Sequence, residues 1–82
     1  MENLNGNDFY ELCNANEWFT SGTSKQYEKL FDYVNNTNFN NIIFSPELEK
    51  VAVIIWVCSN NTTIEEIMLT IRTCWCKKNN FI

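Results

Sequence analysis

The side chains best able to do chemistry in this chain are four cysteines, Cys13, Cys58, Cys74 and Cys76, two adjacent carboxylates, Glu65 and Glu66, and the short polar stretch from Gly22 to Lys25. Each suggests a definite chemistry whose spacing rule it fails to meet. Zinc is held by Cys and His at spacings such as Cys-x-x-Cys, whereas these cysteines are scattered and Cys74 and Cys76 point about 200° apart on a helix. A nucleophilic cysteine needs an imidazole beside it, and the sequence has no histidine, the commonest general base and metal ligand. Reduced thiols with no bound metal are therefore expected. Glu65 and Glu66 fall where a helix begins, and the positive end of its dipole accounts for them. Gly22 to Lys25 has the ingredients of an anion cradle, with backbone N–H groups at a helix start and a lysine nearby. A phosphate loop, however, requires Gly-x-x-x-x-Gly-Lys followed by Ser or Thr, and one glycine in the wrong order leaves helix capping as the account. No carboxylate pair lies in an apolar setting that would tune its pKa. Neither an enzyme nor a cofactor is expected.

The elements that hold these residues are organised around Val51, Ala52, Val53, Ile54, Ile55, Trp56, Val57 and Cys58, the one unbroken apolar run. Burying each large side chain gains about 1.5–3 kcal/mol, so the run belongs in the middle of a core. Its β-branched composition fits a strand or a helix equally well. The flanks decide for a helix over 46–59: Ser45 can cap, Pro46 suits the first helical position, Glu47 and Glu49 suit the positive end, and Ser59, Asn60 and Asn61 provide a stop. Val53, Trp56 and Val57 lie off the stripe formed by Leu48, Val51, Ile55 and Cys58, which leaves apolar surface that a homodimer would cover.

Residues 1–7 are polar and expected to be loose. Asp8 with Glu11 reads as a capping box before a helix over 9–16, with Phe9, Leu12 and Cys13 at helical spacing. Trp18 and Phe19 follow, read first as a cover for the core and second as a binding surface. Thr23 with Gln26 forms a second box before a helix over 24–35, whose Tyr27, Leu30, Phe31 and Val34 share one face. An asparagine-rich linker then ends in Ile42, Ile43 and Phe44, which must be buried. Thr62 with Glu65 opens a last helix over 63–76, carrying Ile64, Ile67, Met68, Ile71 and Trp75, with Lys77 and Lys78 at its negative end. The expected fold is an all-α, compact four-helix bundle in one domain over 1–82. The alternative is α+β, with residues 51–58 and 42–44 extended.

At 45% hydrophobic and 15% aromatic, the composition argues for a packed globule and against disorder. Fourteen asparagines reflect an AT-rich coding sequence more than chemistry. No signal peptide or transmembrane run is visible, so the expected location is the cytoplasm of a host cell, where the Asn-x-Thr triplets at Asn35, Asn60 and Asn61 stay unmodified. Residues 1–66 set ten carboxylates against Lys25, Lys29 and Lys50, a local balance of −7. Direct nucleic-acid binding is disfavoured by such a body, which suits a basic protein partner instead. Glu28 and Asp32, at i and i+4 on the outer edge of the second helix, are the candidate acidic contacts, and Trp18 and Phe19 the candidate aromatic ones.

The block Asn14, Asn16, Trp18, Phe19, Thr20, Gly22, Thr23, Gln26, Tyr27, Lys29, Leu30 and Phe31, followed by Ala52, Ile54, Ile55, Trp56 and Cys58, resembles small helical proteins encoded by phages, prophages and related elements of low-GC Gram-positive bacteria. The likeness spans Asp8 to Met68. It implies a setting rather than a site: such proteins often inhibit bacterial machinery, anti-CRISPR proteins among them. The expectation is a small acidic phage or mobile-element protein that inhibits a bacterial defence complex, with a CRISPR effector as the candidate partner, by protein–protein interaction. Two alternatives compete with it. One is a helix-turn-helix DNA-binding regulator across Ser59 to Thr62, weakened by Glu65 and Glu66 at the start of its reading helix. The other is a dimerising interaction module.

Overall fold

The computed structural model describes residues 1–20 and 24–81, and every regular element in it is helical. In order these are α1 (Gly6–Asn16), α2 (Ser24–Asn36), α3 (Phe39–Ile42), α4 (Leu48–Val57) and α5 (Ile64–Lys78). The fold is all-α. The extended alternative is excluded, because Ile42 closes α3 and residues 51–57 lie in α4.

α1 starts earlier than expected, and its cap explains why. The Asn5 side chain accepts the Asp8 N–H at 2.9 Å while the Asp8 carboxylate accepts the Asn5 N–H at 3.1 Å, so Asp8 is the inner partner of a capping box and not its cap. Gly6 then sits tightly against α2. Its N–H donates to Asn35 Oδ1 at 2.7 Å, and a Cβ there would lie 2.7 Å from the Phe31 ring, so glycine lets the helices meet. The preceding residues are not loose. Leu4 is buried, Asn3 accepts the Asn40 N–H, and Glu2 exchanges two main-chain hydrogen bonds with the Asn79 side chain.

The Thr23–Gln26 box and most of the Gly22 to Lys25 stretch lie outside the described residues. α2 buries Leu30 and Val34 and half-buries Tyr27 and Phe31, the face its spacing predicts. In the asparagine linker a single helical turn, α3, forms because the Asn38 side chain caps it by accepting the Asn40 N–H at 3.0 Å. That turn carries Phe39, Ile42 and Ile43 into the core, with Phe39 5.0 Å from the Phe9 ring. Phe44 does not follow them. It stays 63% exposed, edge-on to Trp75, because the chain is already turning towards α4.

Pro46 and Glu47 precede α4 in tight i to i+3 turns, in which the Leu48, Glu49 and Lys50 N–H groups donate to the Ser45, Pro46 and Glu47 carbonyls. The α5 cap is shifted by one residue from its expected place: Thr63 Oγ1 accepts the Glu66 N–H, and the Thr62 hydroxyl donates to the Glu66 carboxylate. α4 packs along α5, α1 along α2, and α2 touches α4. Between them lies one apolar cluster running from Leu4 to Trp75, with no buried polar or charged residue among the described residues.

Candidate functional site

Only one side of α4 is covered. Leu48, Val51, Ala52, Ile55 and Cys58 are buried, whereas Val53, Ile54, Trp56 and Val57 stand 37%, 36%, 45% and 66% exposed. The run therefore lies at the margin of the core and not in its middle. The reason is the number of layers: α5 and α2 take up one side of α4, and no described element crosses the other. Lys50, Val53, Ile54 and Val57 recur at i, i+3, i+4 and i+7, so they share a stripe, with Glu49 and Trp56 beside it. Large apolar side chains grouped on one exposed stripe and rimmed by charge mark a surface that meets another apolar surface.

The four residues chosen from sequence separate in the structure. Glu28 and Asp32 stand exposed one turn apart on α2. Trp18 is a core residue, 4% exposed, and its placement follows from how α1 ends. Glu17 adopts the left-handed conformation, φ 54°, the Glu17 N–H donates to the Asn14 carbonyl and the Trp18 N–H to the Cys13 carbonyl. This is a Schellman motif, in which the residue after the left-handed one folds back towards the last turn of the helix. Phe19 is half-buried, its ring edge-on to Tyr27 at 4.6 Å. The indole at the surface is that of Trp56. The off-stripe positions Val53, Trp56 and Val57 signalled the α4 face in sequence, and Ile54 was missed because it sits at the border of the buried stripe.

Burial pushes the Cys13 thiol up to about 12, which keeps it protonated and unreactive at neutral pH. Cys74 is also raised, chiefly by burial and then by the Asp8 charge. Burial alone would raise the Asp8 carboxyl, but the hydrogen bonds from Lys78 and the Asn5 N–H, with the Lys78 charge, outweigh it and hold Asp8 below its ordinary value. Arg72 Nε donates to the Ile43 carbonyl at 2.9 Å, so the guanidinium props the turn after α3. Among the described residues no three His, Cys, Asp or Glu side chains are grouped to hold a metal ion, and no helix is long and apolar enough to cross a membrane.

No family model, curated protein or solved structure matches this chain.

Proposed function

We propose that this chain acts by binding another protein, as a small acidic inhibitor of a bacterial defence complex of the anti-CRISPR type carried by a phage or mobile element. The observation that carries the binding role is the uncovered face of α4, where Trp56 and three aliphatic side chains lie together in the open. Tryptophan on an apolar patch is the residue most often found to dominate binding energy. The second support is charge. A body with a local balance of −7 over residues 1–66, with Glu28 and Asp32 exposed on α2, draws in a basic surface such as a nucleic-acid channel. The setting comes from the likeness to phage and prophage proteins.

The DNA-binding alternative has less to work with. Arg72, the only arginine in the helix that would read the groove, is turned onto a main-chain carbonyl, while Glu65 and Glu66 stand exposed at that helix's start. A pull-down from the natural host, followed by titration of purified CRISPR effectors, tests the proposal. The expected result is a salt-dependent complex that Trp56→Ala weakens at least tenfold. No binding to any effector of that host rejects the defence-complex reading. An α4 that only pairs copies of the chain returns the protein to a dimerising module.

A further inference from the structure

α1 and α5 run in opposite directions on either side of a gap, and they are not among the closely packed helix pairs. Asp8 pairs with Lys78, Leu12 and Cys74 line one hollow, and Asn16 and Thr70 line the next. Steps of four residues on both helices keep these pairs on one seam. The helices do not close over it. Two hollows of about 370 and 430 Å³ share Leu69 and Thr70 as walls and so adjoin along α5, in a cleft whose larger end is also walled by Ser59 to Thr62. Its α5 wall is Glu66, Leu69, Thr70, Thr73 and Lys77, a stripe about three turns and about 16 Å long. Chemistry is ordered along it. Glu17 and Glu66 stand at one end, Leu12, Cys74 and a 65% exposed Leu69 in the middle, and Lys77 at the other end. α5 buries a different face, Ile67, Ile71 and Trp75, and none of the exposed α4 side chains lines the cleft.

We propose that this cleft receives an amphipathic helix of about three turns from a protein partner, lying parallel to α5, with Lys or Arg in its first turn and Asp or Glu in its last. The order of charge selects that occupant. The carboxylate end meets the positive end of the docked helix dipole and its basic side chains, and Lys77 meets the negative end. Leu69 supplies the apolar knob on which the docked helix seats. This second surface stands whether or not α4 meets a defence complex.

A surface-displayed library of helical 14-residue peptides, with a fixed Leu/Ala face and randomised charged positions, is sorted against the labelled full chain. Enriched peptides are expected to carry Lys or Arg in the first turn and Asp or Glu in the last. A synthetic representative should lose at least tenfold in affinity when its end charges are exchanged, lose as much against Leu69→Lys, and be indifferent to Trp56→Ala. The exchanged peptide needs no variant chain, so the test survives a variant that fails to fold. No enrichment, enrichment without charge order, or binding indifferent to both changes overturns the proposal. Self-association of the chain alone that Leu69→Lys abolishes would make a second copy the occupant and overturn it too.

Discussion

Glu17 ends α1 in the left-handed region, φ 54°, where a side chain costs energy that glycine does not. Glu17→Gly is therefore expected to stabilise the chain by about 0.5–1 kcal/mol, read as a higher urea midpoint at unchanged slope. An unchanged or lower midpoint would show that the glutamate side chain repays its strain. Cys13, four residues earlier, makes a second expectation at this scale. With its thiol pushed up to about 12 by burial, it should resist a thiol reagent in the folded chain at neutral pH and be labelled only as fast as the chain opens. Peptide mapping after timed labelling decides this, and prompt modification of Cys13 in the native state would count against a sealed core. Neither residue announced its role in sequence. A Schellman end depends on one backbone angle, and Glu17 gives no hint of a left-handed φ as glycine would. Trp18 owes its burial to that angle, and residue type, which favoured a cover for the core over a binding surface, could not show how the chain would turn it inward.

At the scale of elements, α4 separates its two faces by consequence. Ile55→Ala should cost about 2–5 kcal/mol, because the side chain is fully buried and leaves a cavity. Trp56→Ala, one residue on and half out of the core, should move the melting temperature far less while weakening partner binding. Thermal melts of both variants check this, and equal losses would show that Trp56 packs inward. The helical segments themselves were readable, since the 3.6-residue spacing of Tyr27, Leu30, Phe31 and Val34, and of Ile67, Ile71 and Trp75, is set by which face must be dry. Their ends were less so. Asn5 and Thr63 each displaced a neighbouring residue of similar capping ability, and competing asparagines, aspartates and threonines within one turn differ by too little for sequence to choose. α3 was hidden for the same reason, because its cap is one asparagine in a run of them. The α4 face was partly legible: spacing marks what falls off the buried stripe but not whether another helix lies over it.

For the whole molecule the long-range argument is charge. Glu28→Lys with Asp32→Lys reverses an exposed edge of α2 without touching its buried face, so circular dichroism should be unchanged. Association with the partner should slow at low salt and differ little near 0.5 M, where screening reaches only about 4 Å. Stopped-flow rates at both salts measure it, and an unaltered rate at low salt would remove this edge from the encounter. One further property follows from how the chain's two ends are fastened. Glu2 exchanges hydrogen bonds with Asn79, and Asp8 pairs with Lys78, contacts that join residues 77 and 70 positions apart. Loops of that length are the last to close, because their entropy must be met before the contact returns anything, while α4 with α5 and α1 with α2 can zip from nearby sequence. The fastening thus belongs to the descent after the folding barrier. Asn79→Ala should leave the refolding limb of a chevron in place and raise the unfolding limb, so that this pair of side-chain amide bonds governs how long the native state lasts rather than how quickly it is reached.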